Sequence, residues 1–65
     1  MNNKVREYRI KMGMTQRELA IKVGLTRQTI GLIENDNYNP SLRVCLNIAD
    51  TLEESLDALF NPKYF

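Results

Sequence analysis

Apolar residues recur along this chain at spacings of three and four, with hydroxyl side chains placed where helices would begin, and the pattern predicts five helices and an all-α fold. The first helix is predicted from about Asn3 to Met12, with Val5, Tyr8 and Met12 on one face and Arg6, Arg9 and Lys11 mostly elsewhere. Gly13 stops it, and Met14 reads as a buried anchor for the loop. Thr15 followed by Glu18 forms a capping box for a second helix, about Gln16 to Val23, whose inner face is Leu19, Ala20 and Val23. Gly24 is expected at a positive φ, which a residue with a Cβ resists. Thr26 caps a third helix, about Arg27 to Glu34, with Leu25 stapled against Ile30. Its Ile30 and Ile33 face inward, and Arg27, Gln28 and Gly31 share an outward face. After the turn-forming Asn35-Asp36-Asn37, Ser41 caps a fourth helix, about Leu42 to Leu52. Its apolar stripe reads as Leu42, Cys45, Leu46, Ala49 and Leu52, with Ile48 at the margin. Ser55 caps a short fifth helix carrying Leu56, Leu59 and Phe60, and Pro62 ends it.

The second and third helices carry the most information. Each starts on a threonine cap, a small residue (Ala20) lies where they would cross, and Gly24 lies where the chain must reverse. This is the layout of a helix-turn-helix over 16–34, a device that places the start of its second helix in the major groove of DNA.

Length and composition bound that reading. The 65 residues suffice for a single domain, 1–65, and an apolar fraction of 43% argues against disorder. So short a chain buries only about 60% of the surface it exposes when unfolded, so a dimer interface would add welcome buried area. No apolar run approaches the roughly 20 residues a membrane span needs, and the polar start Asn2-Asn3-Lys4 is not a signal peptide. The single cysteine, Cys45, excludes an internal disulfide and fits a reducing cytoplasm. It reads as a buried structural thiol, with a redox switch as the alternative. Net charge is +1, but residues 1–33 carry seven basic against two acidic side chains and residues 34–65 carry two against six. The half holding the helix-turn-helix is therefore at +5 and the other half at −4. A basic face of this kind attracts phosphates.

The run Met14-Thr15-Gln16…Glu18-Leu19-Ala20…Val23-Gly24-Leu25-Thr26-Arg27-Gln28-Thr29-Ile30…Ile33-Glu34-Asn35, continued by Asn39-Pro40-Ser41-Leu42 and Ile48-Ala49…Leu52, resembles the lambda-repressor-like (Xre or Cro) helix-turn-helix regulators. The resemblance spans about residues 3–60. It implies a compact five-helix DNA-binding domain, most similar to the minimal stand-alone repressors that bind palindromic operators as dimers. Asp36 departs from the glycine common in relatives, but aspartate tolerates the left-handed region. Gly31 departs too, because relatives often carry a larger polar residue there. It either brings the backbone closer to the bases or removes one base contact.

On this reading Arg27 and Gln28, in the first turn of the third helix, are the candidate base readers, arginine for guanine O6 and N7 and glutamine for adenine. Arg27 could instead clamp a phosphate. Leu32 projects outward beyond Gln28, either to meet a thymine methyl or as an ordinary exposed apolar residue. Gln16 stands at the positive end of the second helix, and the resemblance implies that it grips the DNA backbone. Arg17, Thr26, Thr29, Asn35, Asn37, Asn39 and Arg43 are further candidate phosphate contacts, with Arg9 and Lys11 supplying long-range attraction only. Tyr38 reads as packing under the linker, with a phosphate contact as the alternative, and Glu34 as pairing with Arg9 or Arg17. Leu56, Phe60, Tyr64 and Phe65 look like too many apolar groups for the end of so small a domain. They are the candidate dimer interface, segment 56–65, with packing inside the chain as the alternative.

An enzyme or metal protein is disfavoured, since the chain has no histidine, one cysteine and no pair of carboxylates sharing a pocket. No cofactor, metal or membrane partner is expected. The expected partners are an operator in double-stranded DNA and a second copy of the chain. The alternative is an antitoxin whose acidic second half and apolar tail dock a basic toxin while the same fold regulates its operon.

Overall fold

In the computed structural model the described residues, 3–60, run as α1 (Val5–Lys11), α2 (Gln16–Val23), α3 (Arg27–Glu34), α4 (Leu42–Leu52) and α5 (Leu56–Leu59). The limits of α2, α3 and α4 are those predicted. The first helix starts two residues later than expected, because Asn3 pairs as an isolated β-bridge with Phe60.

Hydroxyl caps fix where the later helices begin. Thr15 Oγ1 accepts the Glu18 N–H at 3.0 Å while Glu18 Oε1 accepts the Thr15 N–H at 2.8 Å, completing the capping box. The Thr15 backbone and side-chain hydrogen bonds hold the Glu18 carboxyl below its ordinary pKa. Thr26, Ser41 and Ser55 each accept the N–H three residues on, at 3.1, 3.3 and 3.1 Å. Gly24, at φ 75°, ends α2, and the following Leu25 N–H returns to the Ala20 carbonyl at 2.9 Å. Asp36 makes the same turn after α3 at φ 59°, with Asn37 N–H reaching Leu32 O at 2.9 Å, so aspartate does hold the left-handed position.

The core gathers Val5, Leu19, Ala20, Ile30, Ile33, Cys45, Ile48, Ala49, Leu52, Leu59 and Phe60. All five helices contribute, each large side chain supplying roughly 1.5–3 kcal/mol by burial. Ala20 is buried on α2, which packs against both α3 and α4, so a larger side chain there would have no room. Burial pushes the Cys45 thiol above its ordinary pKa, which keeps it protonated and inert.

Three expectations about the core are corrected. The buried face of α4 is Cys45, Ile48, Ala49 and Leu52, so Ile48 is central while Leu42 and Leu46 point to solvent, 53% and 49% exposed. Met12 lies on the exposed side of the end of α1 rather than on its inner face. Phe60, assigned to a dimer interface, is 1% exposed, because the bridge to Asn3 folds it back under the helices. Leu56 is half-buried against the same core, and Tyr64 and Phe65 lie outside the described residues. No helix among the described residues is long and apolar enough to cross a membrane.

Candidate nucleic-acid interface

The first turn of α3 projects from this core. Arg27 and Gln28 are both exposed, with no hydrogen bond or ion pair to any described residue. Thr26 Oγ1 and Thr29 Oγ1 lie 2.8 Å apart beside them, so the cap hydroxyl is tied to its neighbour as well as to the backbone. Leu32 is 37% exposed, one turn beyond Gln28. The face therefore offers a guanidinium, an amide and an apolar patch in succession, the chemistry that reads base edges and thymine methyls.

Gly31 is half-buried, and a Cβ built on it would meet Gln16 Nε2 at 3.7 Å, an ordinary contact. Its φ lies in the region any residue adopts, so nothing in the chain's own packing demands glycine. Gly31→Ala is expected to raise stability by about 0.5–1 kcal/mol, the helical penalty of glycine, read as a higher midpoint in urea denaturation. A loss of stability would show that Gln16 cannot make room.

A buried polar network sets α3 against α1 and α2. Arg9 Nε donates to Glu34 Oε2 at 2.7 Å and Arg9 Nη1 to the Met14 carbonyl at 2.7 Å. Gln16 Nε2 donates to Glu34 Oε1 at 3.0 Å. Arg9 is thus a structural cation with 8% exposure, which corrects its assignment to long-range attraction alone. Glu34 pairs with Arg9, one of its two anticipated partners, and lies 2% exposed on the side of the molecule where the basic residues gather. Gln16 reaches inward to it with its Nε2, and the half-buried side chain keeps its carbonyl oxygen uncommitted among the described residues.

Beside α3 opens a cleft of about 500 Å³. The Arg9–Glu34 pair and Gln16 line its inner part, and Arg6, Arg17, Arg27, Thr15 and Asn35 line the rest. Of the residues assigned to phosphate contact, Gln16, Arg17 and Asn35 come together here, next to the base-reading candidate Arg27. Asn37, Asn39 and Arg43 are exposed but outside the cleft, as is Tyr38, which stands 45% exposed rather than packed under the linker. Arg6 was missed by sequence reasoning. Its spacing of three from Arg9 was visible, but only the fold shows that one faces the interior and the other the opening. No group of three or more potential metal ligands occurs among the described residues.

The family model described as helix-turn-helix, HTH_3, matches residues 5–59. An uncharacterized HTH-type transcriptional regulator of Archaeoglobus fulgidus is 48% identical over 60 residues, covering 92% of this chain and 86% of the relative. The regulator YgzD of Bacillus subtilis is 40% identical over 60 residues, 92% of this chain and 91% of its own. Among solved structures, the restriction-modification controller protein C.AhdI from Aeromonas hydrophila superposes with a TM-score of 0.82 at 35% identity. The match covers 88% of this chain and 86% of that one.

Proposed function

The chain belongs to the HTH_3, lambda-repressor-like family of DNA-binding helix-turn-helix transcriptional regulators, and from that premise we propose that it is a repressor that binds a palindromic operator as a homodimer in the cytoplasm. The observation that carries the reading is the exposed pair Arg27 and Gln28 at the start of α3, next to a cleft lined by arginines. Arg27 and Gln28 read base edges, with Gly31 and Leu32 beside them. Arg17, Thr26, Thr29 and Asn35 hold the phosphates flanking the groove, Gln16 does so through its backbone N–H at the start of α2, and Asn37, Asn39 and Arg43 extend that grip along the backbone. Two copies related by a twofold axis read half-sites about 34 Å apart, one turn of duplex. The exposed Leu42 and Leu46, one turn apart on α4, offer apolar area for the second copy. Leu56, Tyr64 and Phe65 complete that contact, and Phe60 has no part in it. Repression follows from covering a promoter.

Selection of bound duplexes from a random pool is expected to return a palindrome. Arg27→Ala and Gln28→Ala should each lose about 1–3 kcal/mol of discrimination at one base position per half-site, with the fold intact because both side chains are exposed. Unchanged affinity and base preference in either variant would remove that residue from the reading face.

A further inference from the structure

We propose that Arg6 of α1 is a DNA-phosphate ligand, so that the duplex backbone is held by the first helix as well as by the helix-turn-helix. The inference rests on the DNA-binding reading above. Arg6, Arg17 and Arg27 come from three different helices and line one open cleft. All three are exposed, and none has a hydrogen bond or ion pair to a described residue. The carboxylate in that cleft, Glu34, is buried and already shared between Arg9 and Gln16. Three cations gathered without a counter-charge repel one another, and an anion laid across them removes that cost. The opening also holds the start of α2, where the N–H groups of Gln16 and Arg17 have no acceptor within the helix. A backbone phosphate fits this combination of charge and aimed donors, and arginine forks suit its oxygens.

Lys11, on the same helix, supplies the control. Its Nζ lies 3.9 Å from Glu7 Oε2 and 4.8 Å from the centre of the Tyr8 ring, and it does not line the cleft. A local contact and a diffuse field therefore make different predictions for the two cations.

The test measures binding of duplex DNA, enriched by selection from a random-sequence pool, across a series of salt concentrations. Arg6→Gln should weaken binding roughly 3- to 10-fold per half-site at low salt and make the slope of log affinity against log salt shallower by about 1.8 for a bound dimer, about 0.9 from each copy. The order of preferred bases and the melting temperature of the protein should not move. Lys11→Gln should leave the slope close to wild type. An Arg6→Gln protein with the wild-type slope overturns the assignment, and so does a Lys11→Gln protein whose slope flattens equally. If the wild-type chain itself enriches no duplex and shows no salt-sensitive binding, the DNA-binding reading fails and this inference with it. Wild-type binding that is insensitive to Arg6 sinks the inference alone.

Discussion

Glu34→Ala is expected to lower stability by about 3–5 kcal/mol, enough to leave a domain of this size largely unfolded in mild denaturant. The carboxylate accepts from Arg9 Nε at 2.7 Å and from Gln16 Nε2 at 3.0 Å in a site almost closed to water. Removing it leaves a guanidinium buried beside a half-buried amide, with only the Met14 carbonyl to hold the charge. The cost is that of an unpaired buried cation, not of one lost hydrogen bond. The double variant Arg9→Met, Glu34→Leu removes both charges and should recover much of the loss. Urea denaturation of the three proteins checks this, and a single variant as stable as wild type would show that water reaches the site. The same network joins α1, the Met14 loop, the start of α2 and the end of α3. A variant that stays folded should still bind DNA poorly, because the angle of α3 to the cleft depends on it.

Phe60→Ala is expected to cost about 3–5 kcal/mol through the cavity it leaves. Phe60 is among the largest fully buried side chains, and it closes the core beside Leu59 at the end of α5. Denaturation at low and high protein concentration should give the same loss, as befits a residue inside one chain. A loss that changes with concentration would move Phe60 back to a contact between subunits.

The helix-turn-helix was legible because its signals are local. Caps at Thr15 and Thr26, the turn at Gly24 and the inward positions Leu19, Ala20, Ile30 and Ile33 lie within one short stretch. The outward direction of Arg27 and Gln28 followed from the same periodicity. Helix 4 was placed correctly but rotated wrongly. Its apolar residues, including Leu42, Leu46 and Ile48, cover a wider arc than one core can bury, so periodicity alone could not choose between margins, and packing against α2 and α5 did. Arg9 was misread because burial of a charge depends on a partner 25 residues away. The acid Glu34 in a basic neighbourhood was the available signal, and it narrowed the partner to two arginines without showing that the pair is internal. Phe60 was misread because its cover comes from the opposite end of the chain.

That cover has a consequence for how the protein is made. Asn3 Nδ2 donates to the Ile33 carbonyl and to Asp36 Oδ1, both at 2.8 Å, and the Lys4 N–H donates to the Leu59 carbonyl at 2.7 Å. Residues from the beginning, middle and end of the described chain are knotted at one spot. A nascent polypeptide still threaded through the ribosome lacks the final piece of its interior until position 60 has cleared the exit tunnel. The appearance of α3 alone therefore does not complete the domain; position 60 must meet position 3 before the interior closes.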